Sequence, residues 1–76
     1  STVTLIDSKT KLQEFSLKKF KELPKYVFFK KTGPQHRPLF KTEVQIPNSK
    51  KIVGFGSSKK NAQQNAAEKL LKILNI

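Results

Sequence analysis

The chain has 76 residues, of which 16 are basic, 5 are acidic and none is cysteine, for a net charge of +11. That length allows one small domain with one core and no large cavity. The missing cysteines exclude disulfides and thiolate metal sites. Such a charge exceeds what solubility requires and points to a polyanionic partner, nucleic acid ahead of an acidic membrane surface.

The longest apolar run, Tyr26-Val27-Phe28-Phe29, is strand-sized and far too short to span a bilayer. No segment has the layout of a signal peptide, which fits a cytoplasmic location. Catalysis is hard to place. Asp7, Glu14, Glu22, Glu43 and Glu68 are scattered, and one histidine without cysteine leaves no nucleophile–base arrangement. The chain reads as a binding module from a larger protein, with no catalytic residue, metal, cofactor or small-molecule substrate of its own.

Residues 1–6 lack an amphipathic pattern and read as a linker or frayed end, so the domain is expected over residues 7–76. Asp7-Ser8 offers N-cap chemistry ahead of a helix over residues 9–20. On it, Leu12, Phe15, Phe20 and Leu23 share one arc, with Glu14, Lys18 and Lys21 roughly opposite. Pro24 is expected to end the helix by pushing Leu23 toward extended geometry. Residues 25–32 are aromatic and β-branched and form a strand, with Tyr26 and Phe28 on one face and Val27 and Phe29 on the other.

Gly33-Pro34 opens a loop that Pro38 helps to close. Residues 39–46 alternate, placing Phe40, Thr42, Val44 and Ile46 inward and Lys41, Glu43 and Gln45 outward. After the turn Pro47-Asn48-Ser49, residues 51–56 form a short third strand whose Gly54 and Gly56 suggest close backbone approach. Ser58 then caps a long helix running to about Leu74, with Ala62, Ala66, Leu70, Ile73 and Leu74 as its core stripe. The fold class is α+β in the order α-β-β-β-α. Short connections favour an antiparallel three-stranded sheet with both helices on one face.

Three places stand out. A lysine pair on a helix is ordinarily a solvated face, but Lys59 and Lys60 sit in the first turn, at the positive end of the helix dipole. Backbone N–H groups there lack intrahelical partners, so a phosphate would meet dipole, amides and ammonium groups together. With Ala62 at zero, Lys59, Gln63 and Lys60 fall at roughly 60°, 100° and 160°, the side that the later apolar residues use to face the core. The solvent face instead holds Asn61, Asn65, Glu68, Lys69 and Lys72.

The second place is Gly33-Pro34-Gln35-His36. It would be an ordinary hairpin loop were it not Pro-stiffened and flanked by Lys30, Lys31, Arg37 and Lys41, which suits insertion into a groove. A metal role for His36 lacks partner ligands. The third is the flank of the first helix. Gln13 and Leu17 border its apolar arc, and Gln13 and Glu14 offer hydrogen bonds to sugar hydroxyls.

Together these pieces resemble the double-stranded RNA-binding domain. The matching residues are Leu12-Gln13-Glu14-Phe15, Leu23-Pro24-Lys25-Tyr26, Gly33-Pro34-Gln35-His36 with Phe40, Gly54-Phe55-Gly56, and Ser58-Lys59-Lys60-Asn61-Ala62 continuing into Asn65-Ala66-Ala67-Glu68-Lys69-Leu70-Leu71. The opening residues 7–14 and the Gly-Pro-x-His loop look most like the version at the C-terminus of ribonuclease III.

The resemblance implies contact with two successive minor grooves of A-form RNA and the major-groove phosphates between them, with little sequence preference. Gln13, Glu14 and Leu17 would meet one minor groove. Pro34, Gln35, His36 and Arg37 would enter the next, and Lys59, Lys60 and Gln63 would bridge the phosphates. B-form DNA is disfavoured by its groove spacing. The resemblance also implies a parent that is an endoribonuclease and a homodimer, both through a domain outside this chain. Two departures from the family pattern stand out: Gln63 where a third lysine is usual, and Leu17 where a polar contact is common.

Two other readings compete. A complete magnesium-dependent nuclease would need clustered carboxylates, which this chain lacks. A protein-docking or dimerisation module of the same fold would need a broad apolar patch, for which Phe29 and Phe55 are the candidates among basic neighbours. Membrane-surface binding is remote, because neither helix combines a basic face with a bulky aromatic one.

Overall fold

The structure is a computed structural model that describes residues 7–76; the linker expected over residues 1–6 lies outside them. The order is α1 (Ser8–Phe20), β1 (Lys25–Thr32), β2 (Leu39–Gln45), β3 (Ile52–Gly56) and α2 (Lys59–Leu74). The strands form one antiparallel sheet in the order β1-β2-β3. No described helix is long and apolar enough to cross a membrane.

Both helices begin as their caps dictate. The Asp7 carboxylate accepts the backbone N–H groups of Lys9 and Thr10, and the Ser58 hydroxyl oxygen accepts that of Asn61. The end of α1 falls at the expected residue, but a backbone cap makes it before Pro24 is reached. It stops at Phe20, where Lys21 turns left-handed at φ 64° and donates its N–H to the Leu17 carbonyl. The buried Ser16 hydroxyl then donates to the Glu22 carbonyl at 2.6 Å. Leu23 thus lies beyond the helix and is exposed rather than part of its apolar arc.

The core is built from Leu12 of α1, Val44 of β2, Ile46 just beyond that strand, and Ala62, Ala66, Ala67, Leu70 and Leu71 of α2. Alternation along β2 is as expected: Thr42 and Val44 are buried, and the Thr42 hydroxyl donates to the Val27 carbonyl at 2.9 Å. Small residues meet small residues where α2 crosses β3. A Cβ on Gly54 would stand 2.6 Å from the Ala62 carbonyl oxygen, and one on Gly56 would stand 2.5 Å from the Ala62 nitrogen. The helix therefore rests on the strand at backbone distance. Its solvent flank reaches down to the sheet edge, where Asn65 and Lys69 donate to the carbonyls of Phe55 and Val53. Ile73, expected in the core stripe, is exposed. Ala62 overlies Gly56 and Ala66 overlies Gly54, so by Ile73 the helix has run past the first residue of β3.

Register irregularity between Phe28 and Lys30 marks a β-bulge at Phe29. Phe28 pairs with Thr42 and belongs to the helix-bearing side, and its ring meets that of Phe40 at 6.0 Å. Lys30 pairs with Lys41, and the Lys41 ammonium lies over Phe29 on the outward side.

Candidate nucleic-acid interface

The first turn of α2 is placed by Gly54 and Gly56, which let it descend onto the sheet, and its two lysines diverge from there. The Lys59 ammonium sits 4.5 Å from the centre of the Phe28 ring, a cation–π contact that holds an otherwise mobile side chain over the sheet's helix-side edge. Lys60 turns the other way and lines the open hollow between α1 and α2 with Ser8, Lys11 and Gln64. Both lysines are exposed, so their charges remain available to a ligand.

One turn on, Gln63 is half-buried and already engaged. Its side-chain carbonyl accepts the Lys9 ammonium at 2.7 Å, which joins the start of α1 to α2. The same junction is fastened twice more. The Gln64 amide donates to the Asp7 carboxylate at 2.6 Å, and the Gln64 carbonyl accepts the Lys9 backbone N–H at 3.2 Å. The Gln64 bond, with those from Thr10 and Lys9, holds the Asp7 carboxyl below its ordinary pKa.

Lys9, Gln13 and Leu17 follow one another at intervals of four along α1, so they share one helix face. Gln13 and Glu14 are exposed, as is Leu17. The α1 flank and the α2 turn therefore form one continuous surface, joined at Lys9.

The β1–β2 loop is attached through aromatic rings. Phe40 touches Phe28, which carries Lys59, and the Lys31 ammonium lies 5.9 Å from the Phe40 ring. The root of the loop and the first turn of α2 thus share an aromatic shelf on the helix-bearing side. At the tip, Gly33 adopts φ 86°, where a Cβ would stand 2.7 Å from the Arg37 carbonyl oxygen, and Arg37 donates its N–H to the Pro34 carbonyl at 2.9 Å. Pro34, Gln35, His36 and Arg37 are all exposed. The basic flanks do not cluster around this tip as expected, because the pleat separates them. Lys31 faces the helix side, whereas Lys30 and Lys41 face outward.

Lys9 and the supporting Phe28 lie outside the sequence-based site, and Lys31 enters it only as a flank of the loop. A four-residue step back from Gln13 marks Lys9; nothing local marks the two aromatic contacts. Among the described residues the ion pair within 4 Å is Lys72–Glu68, on the solvent face of α2. Lys9, Lys31 and Lys59 are oriented by amide and π partners, which carry no charge to compensate theirs. No group of three His, Cys, Asp or Glu that could hold a metal occurs among the described residues.

A basic surface assembled from one helix flank, one helix N-terminus and one hairpin loop defines a nucleic-acid-binding domain of the α-β-β-β-α type. The profile of the double-stranded RNA binding motif matches residues 8–74, and the chain belongs to that family. It is 54% identical over 72 residues to Ribonuclease 3 of Pelagibacter ubique, covering 95% of this chain and 32% of that protein. Against Ribonuclease 3 of Aquifex aeolicus the identity is 44%, covering 90% of this chain and 30% of that protein. The chain thus spans about a third of the length of these relatives. Among solved structures, the first dsRBD of protein HYL1 superposes with a TM-score of 0.67 at 34% identity, covering 88% of this chain and 94% of that one. DRB4 dsRBD2 gives 0.65 at 29% identity, covering 92% and 97%.

Proposed function

We propose that the chain is the duplex-RNA-gripping part of a larger RNA-processing protein of the ribonuclease III type. It would read A-form shape with the side that carries α1, the start of α2 and the β1–β2 loop. Gln13 and Glu14 offer a carbonyl, an amide and a carboxylate to 2′-hydroxyls in one minor groove, and Leu17 supplies contact without a hydrogen bond. Pro34, Gln35, His36 and Arg37 enter the next minor groove. Lys59, Lys60 and Gln63 meet the phosphates of the major groove between them.

The observation that carries this reading is mechanical. Lys9–Gln63 and the Lys59–Phe28–Phe40 line tie the three segments into one unit, so their spacing is preset before RNA arrives. Preset spacing favours A-form RNA over B-form DNA, whose grooves repeat differently. Hydrolysis of RNA, and assembly of the parent into a homodimer in the cytoplasm, belong on this reading to a domain outside the chain, which supplies the carboxylates that two-metal chemistry requires.

The test is Lys59→Ala/Lys60→Ala in a titration against a perfect RNA duplex. Binding weakens by about 1–3 kcal/mol if each charge-assisted contact has its usual worth. Unchanged affinity would move the function to protein docking.

A further inference from the structure

Gln63 occupies the place in the α2 cluster where a positive charge is missing, and the structure brings a positive charge to it. The Lys9 ammonium donates to the Gln63 side-chain carbonyl at 2.7 Å and lies 5.3 Å from the centre of the Tyr26 ring. Neither partner is an anion, so the charge of Lys9 is held in place and not neutralised. An ammonium group has three donors, and Gln63 takes one.

The orientation of the amide follows from this pairing. An ammonium cannot accept a hydrogen bond, so the Gln63 oxygen must face it and the Gln63 NH2 must face away, where its donors meet no acceptor among the described residues.

Electrostatics makes the position of Lys9 hard to explain as scaffolding alone. It sits in the first turn of α1, at the positive end of that helix, where a cation is unfavourable. Lys59 and Lys60 sit likewise in the first turn of α2, and neither first turn contains an acid, so the Asp7 carboxylate capping α1 offsets only part of this positive charge. Contacts from Lys9 to Gln63 and from Asp7 to Gln64 place the beginnings of the two helices side by side. Concentrating cations there is a cost to folding that a bound polyanion would offset.

We propose that Lys9 and Gln63 form a phosphate-binding subsite between the two helices. Lys9 supplies from α1 the third cation of the cluster, and the Gln63 amide donates beside it to the same RNA phosphate diester. The proposal rests on the duplex-RNA reading above. It adds a binding residue from an element outside the α2 turn and explains how Gln63 can stand where a lysine would otherwise be needed.

The experiment is a salt series of titrations with a perfect RNA duplex, comparing wild type, Lys9→Gln, Lys9→Arg, the exchange Lys9→Gln/Gln63→Lys, and Lys59→Ala/Lys60→Ala. Each phosphate-neutralising cation contributes about 0.9 to the slope of log K against log salt, on the duplex-DNA coefficient. Lys9→Gln is expected to flatten the slope by about that amount, and Lys9→Arg to keep it. The exchange variant moves the cation to the neighbouring helix and is expected to restore it. Thermal melts of each variant confirm that the domain is folded at the titration temperature.

An unchanged slope in Lys9→Gln, or weaker binding at constant slope, would overturn the proposal and leave Lys9 as a tie between helices. If Lys59→Ala/Lys60→Ala flattens the slope while Lys9→Gln does not, only the Lys9 subsite fails. If neither flattens it, the duplex-RNA reading of this surface fails as well.

Discussion

Gly54 lies so close beneath Ala62 that a Cβ on the glycine would stand 2.6 Å from the alanine's carbonyl oxygen. This contact sets the height of α2 above the sheet, and with it the position of the Lys59 ammonium over Phe28. Structure and ligand binding are therefore coupled through a residue with no side chain. Gly54→Ala must push a helix backbone away, because no flexible side chain is there to yield. We expect a loss of about 1–3 kcal/mol, the usual cost of overpacking, read as a fall in thermal midpoint. RNA affinity should fall as well, even in the folded fraction, because the lysine turn is displaced.

Phe28 offers a cleaner separation of charge from position. Its ring supports Lys59 at 4.5 Å and touches Phe40 at 6.0 Å. Phe28→Leu keeps a bulky apolar side chain and every positive charge but removes the π face. Affinity for duplex RNA should drop by the worth of an exposed cation–π contact, about 0.5–1 kcal/mol. The salt slope should stay at its wild-type value, since no cation is lost. A flattened slope would show that Phe28 does more than orient Lys59.

Tyr26 carries a buried hydroxyl with no hydrogen-bond partner among the described residues. Burial, and secondarily the charge of Asp7, push its pKa up to about 12. Tyr26→Phe removes an unsatisfied polar atom and should stabilise the domain by about 1 kcal/mol near neutral pH. The sign of the pH effect follows from the raised value. The unfolded chain ionises near pH 10, before the folded one, so wild type loses stability as pH rises from about 10 to about 12. The advantage of Phe over Tyr should widen across that window, measured by denaturant unfolding.

Asp7 titrates at the other extreme. Its pKa is lowered from 3.8 by the Gln64 amide first, against a smaller opposing effect of desolvation, and then by the Thr10 side chain and the N–H groups of Thr10 and Lys9. A depressed folded value means that the stabilisation is present above the unfolded pKa and is lost as pH falls through the folded one. Wild type should be more stable than Asp7→Asn at pH 7. The difference should shrink below about pH 4, because asparagine still caps the helix but carries no charge. A difference that held constant from pH 7 to pH 2 would place the effect in shape and not in charge.

Much of the architecture was legible because local chemistry specifies it. Alternation of Thr42 and Val44 with Lys41 and Glu43 fixed the faces of β2, and Asp7 and Ser58 marked the starts of both helices. Where the chain turns without glycine or proline, the reading placed the end of α1 but missed how it is made. Lys21 adopts the left-handed cap of α1, a conformation that lysine does not advertise, and Leu23 is stranded outside the helix. Ile73 has the right azimuth and still lies exposed, because periodicity tells which way a residue points and not where the strand beneath it begins. The α2 turn was visible from its lysines. Its partners were not, since Lys9 and Phe28 reach it only through tertiary contacts.

The central claim is that three segments, held at fixed spacing, fit the groove repeat of A-form RNA. The most direct measurement is a pair of titrations, a perfect RNA duplex and a DNA duplex of equal length, each at two salt concentrations. For four to six neutralised phosphates, log K for RNA should fall with log salt at a slope of about −4 to −5, on the duplex-DNA coefficient. RNA should bind more tightly than DNA at both salts, with little dependence on sequence. Equal affinity for the two duplexes would contradict the claim, because charge alone would then explain the binding.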